Sequence, residues 1–314
     1  GHIANVYDAL FSPDGARIAT TSADGTVRLW DAATGERLLV VRQPSAAGIA
    51  FDPTGERLAV ATAAPSAAPV WLWDTRTGQQ VGALGAFARD TTDVDYSPDG
   101  ASIAVADGSG ESAIWDVQSG QRLVSLGRGA PTYSIRFSPD GQQVATGGTD
   151  GVVRVWDAAT GGLLLTLPGH AATVTNLDFS PDGALLATAS ADGATRLWDI
   201  SPAGSRELLT VPAHDAVVYS VDYSADGARL ATASWDRRAA VWDAQSGELL
   251  ASLPEHPDSI ARVAFSPDGR SVATAAYDGV VRLWDAASGQ PIRSIAAHGP
   301  LDIDVDCDAA GQRL

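Results

Sequence analysis

Apolar and polar positions alternate over short stretches of this chain, and residues 170–211 show the pattern clearly. Residues 173–179 alternate strictly enough to predict a half-buried β-strand. The Ser-Pro-Asp-Gly sequence at 180–183 then predicts a type I turn, because proline fixes φ at its second position and glycine ends it. An Asp-Gly pair at 192–193 is a strong signal for a tight hairpin. Three further strands are predicted at residues 185–190, 195–198 and 208–211.

The same organisation recurs along the chain. Trp-Asp pairs, spaced by 41 to 44 residues, stand at Trp30, Trp73, Trp115, Trp156, Trp198, Trp242 and Trp284. An aromatic residue leads into Ser-Pro-Asp-Gly or a close variant at Phe11, Phe51, Tyr96, Phe137, Phe179, Tyr223 and Phe265, with a faded copy at Cys307. Four short strands cannot bury both faces alone, so repeats of this kind are stable when their sheets stack in a ring.

The five histidines share one phase of the repeat. His2, His170, His214 and His256 each precede the Trp of their repeat by 28 residues and an Asp by 22, and His298 begins a further copy. A set of Ser/Thr, His and Asp that recurs at even spacing argues against a hydrolase triad, which occurs once and is recognised by its geometry. We therefore predict a structural role for these histidines and no catalytic residue among them.

Gly-His followed by Trp-Asp, on a period of 40 to 45 residues, resembles the WD-repeat family. The resemblance covers residues 1 to about 298 and implies an all-β, seven-bladed β-propeller with four antiparallel strands per blade. Each blade is expected to come from one continuous stretch with its Trp-Asp strand third from the axis, so that the ring closes without a borrowed strand. Residues 299–314 are expected to begin a further repeat, as an eighth blade or a second propeller, or to form a C-terminal extension.

The resemblance also implies a hydrogen-bonded tetrad of Asp, His, Ser or Thr, and Trp inside a blade. Indole donates, a hydroxyl and an imidazole both donate and accept, and a carboxylate accepts, so the four groups satisfy one another. In the His170 repeat the hydroxyl is Thr188 or Ser190, whereas Ala276 in the His256 repeat favours the first position. The predicted tetrad residues are His2, Asp24 and Trp30; His170, Thr188, Asp192 and Trp198; His214, Thr232, Asp236 and Trp242; and His256, Thr274, Asp278 and Trp284.

The second, third and fourth repeats depart from this pattern. The second has an Ala/Pro-rich insertion at 63–69 and no Asp before Trp73, the third has Phe87 at the histidine position, and the fourth has Arg128 there. We expect these three blades to be held by apolar packing alone.

Composition narrows the choice of partners. The net charge is −17, and every basic residue is Arg, which disfavours nucleic acid and anionic membranes and favours a protein or peptide that is basic or neutral. No run of 18 apolar residues is present, and a single cysteine suits a reducing, cytoplasmic setting. We predict no cofactor and no metal.

The resemblance implies a non-catalytic protein-interaction scaffold or sensor module. The absence of Lys, together with abundant Ala and Gly, suggests a genome rich in G and C. Taken with this composition, the resemblance implies the propeller portion of a larger bacterial regulator, such as one that carries a signalling ATPase or kinase domain. The alternative is a propeller-based hydrolase or lyase, which needs a cluster of titratable residues in the central channel.

Two phases of the repeat are expected at one face of the ring, here called the top: the residue four before the aromatic anchor, and the residue before the tetrad Asp. Aromatic and Arg residues dominate binding hot spots. The predicted partner-binding residues are Tyr7, Tyr133, Tyr219, Trp235, Tyr277, and Arg237 and Arg238, which replace the usual Gly beside Trp235. Most of them fall in the sixth, seventh and first repeats, where we expect a partner segment to dock. The alternative is that these rings only cover the core beneath the loops.

Overall fold

The computed structural model describes residues 1–63, 68–87, 89–127, 129–201, 206–211, 214–254 and 256–295. Within them, 28 strands form seven four-stranded antiparallel sheets. The strands of blades 1 to 4 are β1 Val6–Phe11, β2 Arg17–Ser22, β3 Thr26–Asp31, β4 Arg37–Arg42; β5 Ala46–Phe51, β6 Arg57–Thr62, β7 Ala68–Asp74, β8 Gln80–Phe87; β9 Thr91–Tyr96, β10 Ser102–Asp107, β11 Ala113–Asp116, β12 Arg122–Ser125; and β13 Thr132–Phe137, β14 Gln143–Gly148, β15 Val152–Asp157, β16 Leu163–Pro168. Those of blades 5 to 7 are β17 Val174–Phe179, β18 Leu185–Ser190, β19 Thr195–Asp199, β20 Arg206–Val211; β21 Val218–Tyr223, β22 Arg229–Ser234, β23 Ala239–Asp243, β24 Leu249–Leu253; and β25 Ile260–Phe265, β26 Ser271–Ala276, β27 Val281–Asp285, β28 Pro291–Ile295.

Each sheet is one blade, and its four strands are paired in the order in which they occur in the chain. The first strands of neighbouring blades contact one another all the way round, from β1 to β5 and finally from β25 back to β1. The fold is therefore a seven-bladed β-propeller, as predicted, with the Trp-Asp strand third from the axis. Blade 1 is completed by β4 and takes no strand from elsewhere.

The local turn chemistry follows the sequence closely. In blade 5, Gly183 N–H donates to the Ser180 carbonyl at 2.8 Å, and Gly183 has a φ of 72°, which glycine adopts at little cost. At the other end of a blade, the Asp of each Trp-Asp pair holds the loop to the fourth strand. In blade 4, for example, Asp157 Oδ1 accepts hydrogen bonds from Thr160 N–H at 2.8 Å and from its hydroxyl at 2.7 Å.

The core consists of the contacts between neighbouring blades. The second strand of each blade is almost wholly buried, whereas the fourth strand is the more exposed, as β4 and β20 illustrate. The last blade packs on the first through Val6, Ile18 and Trp30 against Ala275 and Leu283, and each of the six other junctions has an equivalent apolar cluster. The ring is therefore closed by the burial of apolar side chains, which is the dominant favourable contribution to the free energy of folding.

The described residues contain no helix long and apolar enough to cross a bilayer. The predicted extension at 299–314, with Cys307, lies outside the described residues, as do His298 and Arg128.

Candidate functional site

Three of the predicted tetrads form one directed chain of hydrogen bonds. In blade 6, Trp242 Nε1 donates to Thr232 Oγ1 at 2.8 Å, this hydroxyl contacts His214 Nε2 at 2.9 Å, and His214 Nδ1 lies 2.9 Å from Asp236 Oδ2. The chains of His170 and His2 have the same form, with Thr188 and Thr20 as the hydroxyl residues. Ser190 instead donates to the Ala172 carbonyl at 3.2 Å, so the structure selects Thr188.

Burial keeps these histidines neutral. It lowers the pKa of His2, His170 and His214 below the usual value, and it lowers that of His256 to about 4. Burial alone would raise the pKa of Asp24, but hydrogen bonds from His2 and Thr26 outweigh it and hold that pKa well below its usual range. A neutral imidazole that donates from Nδ1 to a carboxylate accepts the Thr hydroxyl at Nε2, so every polar group in the chain is satisfied.

The tetrad predicted for blade 7 is incomplete. His256 Nε2 contacts Thr274 Oγ1 at 2.8 Å as expected, but His256 Nδ1 lies 3.1 Å from the Pro254 carbonyl oxygen. Arg282 binds both oxygens of Asp278, at 2.6 and 3.2 Å. Arg28 and Arg196, at the equivalent positions of blades 1 and 5, contact the same carboxylate oxygen as the histidine. Arg282 differs because it engages both oxygens of Asp278 in a two-point ion pair, while His256 Nδ1 faces the Pro254 carbonyl.

The departing blades differ among themselves. Trp73 and Trp115 have buried indole N–H groups without a hydrogen-bond partner among the described residues, and Phe87 packs edge-on against Trp115 at 5.2 Å between ring centroids. In blade 4, however, Trp156 Nε1 donates to Thr146 Oγ1 at 2.9 Å. The expectation of purely apolar packing is wrong for blade 4, because its hydroxyl remains available when the histidine is absent.

One cavity of about 390 Å³ opens at the top face of the ring, around the axis. All seven residues that lie four before an aromatic anchor line it: Tyr7, Ala47, Thr92, Tyr133, Thr175, Tyr219 and Ala261. Tyr277, from the second phase of the repeat, lines it too. The seven residues of the first phase occupy the second position of the innermost strand in their blades. Because alternate residues of a strand point to opposite sides, this shared position directs all seven side chains the same way.

Five of the rings form a continuous row at this cavity, which we call the aromatic band: Tyr133, Tyr219, Trp235, Tyr277 and Tyr7. The Tyr133 and Tyr219 hydroxyls are in contact, and Trp235 stacks on Tyr219 with 5.6 Å between centroids. Tyr277 follows at 6.4 Å from Trp235, and Tyr7 at 6.1 Å from Tyr277. Trp235 is 43% exposed and Tyr7 is 40% exposed. The band extends from blade 1 to blade 4, further than the predicted sector.

The two arginines predicted beside Trp235 lie on the β22–β23 hairpin and are exposed. Arg238 Nη1 is 3.8 Å from Asp215 Oδ2 in a solvent-exposed pair, which contributes little to stability. Arg237 has a φ of 71°, where the corresponding hairpins of other blades have glycines such as Gly193 and Gly279. The backbone of this hairpin is therefore strained beside the aromatic band.

We expect Arg237→Gly to stabilise the protein by about 1 kcal/mol, because glycine relieves a left-handed conformation that disfavours side chains. Urea denaturation of the variant and the wild type measures the difference. Arg238→Gly at the next, unstrained position is the matched control and should not stabilise. A loss of stability in Arg237→Gly would contradict the assignment of strain.

The central channel contains a set of charged residues that the sequence analysis did not single out. We call Asp8, Asp93, Asp95, Asp178 and Asp222 the channel carboxylates; they occur on the innermost strands together with Arg136 and Arg262. The signal is present in the sequence, because each of the seven stands three or one residue before an aromatic anchor. The repeat pattern alone does not reveal it, because the residues at those positions differ from repeat to repeat.

The channel carboxylates join four pairs of neighbouring blades: 1 and 2, 3 and 4, 5 and 6, and 6 and 7. Asp95 Oδ2 accepts Phe137 N–H at 2.7 Å, and Asp222 Oδ2 accepts Phe265 N–H at 2.7 Å. Neighbouring innermost strands are not paired in a sheet, so their backbone N–H groups need such acceptors. Equivalent bonds are donated by a backbone N–H to a side-chain oxygen of the preceding blade: Ile49 to Asp8, Ile135 to Asp93, Tyr223 to Asp178, Val221 to Asn176 and Val263 to Ser220.

These carboxylates also share two guanidiniums. Arg136 Nη1 lies 2.7 Å from Asp93 Oδ2, and the surrounding carboxylates outweigh burial and raise the pKa of Arg136. Burial raises the pKa of Asp95 to about 7, and it also raises the pKa of Asp8, Asp178 and Asp222. The cluster required by the enzyme alternative therefore exists, but each of its carboxylates already accepts a backbone N–H.

Comparison with known proteins identifies the repeats. The family model described as WD domain, G-beta repeat (WD40) matches residues 1–31, 120–157, 161–199, 205–243 and 247–285, and each segment ends at the Asp of a Trp-Asp pair. The chain is 31% identical over 135 residues to guanine nucleotide-binding protein subunit beta of Arabidopsis thaliana, covering 40% of this chain and 35% of that protein. It is 33% identical over 127 residues to transcription initiation factor TFIID subunit 5 of Caenorhabditis elegans, covering 39% and 19% respectively.

Protein HIR1 of Cryptococcus neoformans is 32% identical over 117 residues, covering 34% of this chain and 13% of that protein. The matched regions thus span about a third or less of the length of these curated relatives. The family model, in contrast, covers more than half of the chain. With seven four-stranded blades and its recurring Trp-Asp pairs, the chain belongs to the WD40 repeat family.

Proposed function

We propose that this propeller is a non-catalytic scaffold or sensor module that holds a protein or peptide segment at its top face. The observation that carries the proposal is the aromatic band, which lies at the opening of the axial cavity with Trp235 and Tyr7 exposed. Tyr and Trp rings offer rigid apolar area together with a polar group, which is why they dominate interface hot spots. The segment lies over blades 6, 7 and 1, with Arg237 or Arg238 meeting one of its ends.

Two further points support a partner-holding role. The strained Arg237 stands where a glycine would be less costly, and strain of this kind concentrates at functional sites. Two of the relatives named above are described as subunits of larger proteins. The net charge of −17 favours a basic or neutral protein partner over nucleic acid or a membrane.

The wider setting is also a proposal. We place the propeller in the cytoplasm, within a larger bacterial regulatory or signalling protein. The support is compositional, namely one cysteine, no Lys and abundant Ala and Gly. The relatives come from eukaryotes, so the bacterial assignment rests on composition alone.

The experiment is selection of displayed random peptides on the immobilised protein, followed by affinity measurement on Trp235→Ala and Tyr277→Ala. Loss of a central aromatic anchor costs about 2 kcal/mol or more, which is at least a roughly 30-fold loss of affinity. Leu250→Ala, at an exposed position of the outermost strand β24, is the matched control and should bind normally. Peptides that bind both aromatic variants as tightly as the wild type would contradict the site.

A second candidate, a hydrolase or lyase with its site in the channel, is favoured by the channel carboxylates alone. A screen of the purified protein on ester, phosphoester and glycoside substrates tests it. Reproducible turnover that is lost in Asp93→Asn would replace the scaffold proposal, because Asp93 lines the cavity.

A further inference from the structure

We propose that the axial cavity receives a cationic side chain of the bound segment, in particular an arginine guanidinium that passes between the tyrosine rings toward Asp8. The inference rests on the proposed function, because it concerns the chemistry of the segment held at the same face. It goes further by stating what that segment must contain.

The rim of the cavity suits a planar cation. Tyr7, Tyr133, Tyr219 and Tyr277 line it, and a guanidinium is attracted to the faces of aromatic rings. A guanidinium also stacks on such rings and directs five N–H donors outward in its plane, whereas an ammonium is a compact and strongly hydrated charge. With a volume of about 390 Å³, the cavity falls in the ordinary range for ligand pockets.

The floor supplies negative charge. Asp8 and Asp93 line the cavity with Asp90, and Arg262 is the one cationic side chain among the described lining residues. Along the whole channel, the five channel carboxylates face two guanidiniums, Arg136 and Arg262. A cation inserted beside Asp8 and Asp93 interacts with their carboxylates in a partly desolvated site, where electrostatic interactions are stronger than in water.

Asp8 has an unused hydrogen-bonding position. It is only 6% exposed, and its Oδ2 accepts Ile49 N–H at 3.1 Å. Its Oδ1 is buried without a hydrogen bond among the described residues, although Arg262 Nε lies 3.2 Å away, because that N–H is not directed at it. A buried acceptor left unsatisfied is costly, and an incoming N–H donor removes this cost. Burial raises the pKa of Asp8, and a cation bound beside it would favour its ionised form.

Calorimetric titration with N-acetylarginine methylamide and with its citrulline counterpart tests the inference directly. Citrulline has nearly the same shape but no charge, so the pair isolates the cation. We expect the arginine compound to bind at millimolar concentration, at least about tenfold more tightly than the citrulline compound. In Asp8→Asn this preference should disappear, while the asparagine oxygen can still accept Ile49 N–H and preserve the fold.

Asp268→Asn, on an exposed turn, is the matched control and should keep the preference. Equal binding of the two compounds, no binding of either, or an unchanged preference in Asp8→Asn would each overturn the inference. The result is separable from the proposed function. An arginine preference that depends on Asp8, found together with peptides indifferent to Trp235→Ala, would support the cavity and contradict the peptide surface. The reverse pair of results would support the peptide surface alone.

Discussion

Asp95→Asn is expected to flatten the pH dependence of stability between about pH 4 and about pH 7, by the contribution of one of the channel carboxylates whose pKa burial raises. Burial raises the pKa of Asp95 from 3.8 to about 7 in the folded protein, so the unfolded chain loses this proton first. Between the two pKa values the folded state binds more protons, and its free energy of unfolding therefore falls as the pH rises. The full interval corresponds to roughly 4 kcal/mol, as an order of magnitude.

Urea denaturation of the wild type and of Asp95→Asn at about pH 5 and about pH 8 measures this effect. The neutral side chain can still accept Phe137 N–H, so the variant should gain stability relative to the wild type as the pH rises. The buried histidines act in the opposite direction, losing stability as the pH falls below 6.5, but they are common to both proteins and cancel in the comparison. Asp268→Asn should keep the wild-type slope, and an Asp95→Asn slope equal to it would show that this carboxylate is already ionised at neutral pH.

His214→Ala should lower the free energy of unfolding by about 1–3 kcal/mol without impairing peptide binding. The substitution leaves Asp236 and the Thr232 hydroxyl without the imidazole that joins them. Asp236→Ala should cost a similar amount, and the double variant less than the sum, because both substitutions break one network. Thermal and urea denaturation of the four proteins gives the coupling energy.

Blade 4 offers a natural control for this experiment. Asp150 occupies the tetrad position but pairs with Arg154 at 2.7 Å, with a third of its side chain exposed. Asp150→Ala should therefore cost no more than about 1 kcal/mol. A melting temperature unchanged in His214→Ala, or equal losses in blades 4 and 6, would contradict the structural role of the tetrad.

Much of the fold follows from local rules that the sequence displays. β18 has the predicted bounds, β17 begins one residue later than predicted, and β19 and β20 are one and two residues longer than predicted. A turn forms at 180–183 as predicted, closed by the bond from Gly183 N–H to the Ser180 carbonyl. These features depend on neighbours within a few residues, and so a single repeat is enough to predict them.

The prediction for blade 7 failed because two groups compete for one carboxylate. Spacing places Asp278 near His256, but Arg282 is also within reach, and only the geometry decides which of the two it binds. The channel carboxylates could not be identified because their surroundings depend on the whole ring. Alternation shows that Asp95 and Asp222 lie on one side of their strands, but that side becomes a channel only when seven blades close into a ring.

The width of the aromatic band could not be predicted either. Tyr133 belongs to blade 4, two blades from Tyr219, yet their rings lie 6.0 Å apart because the opening is narrow enough for side chains to meet across it. Blade order gives neighbours along the ring and carries no information about distances across its axis.

The junction between the last blade and the first has a consequence for how the ring opens. No strand crosses it, and in addition to apolar packing it is spanned by the ion pair of Arg262 with Asp8, whose closest atoms are 3.2 Å apart. The same pair forms the floor of the cavity. A ligand that binds Asp8 therefore also contacts the ion pair that joins the last blade to the first. Occupancy of the axial cavity and the stability of this junction are linked through one carboxylate.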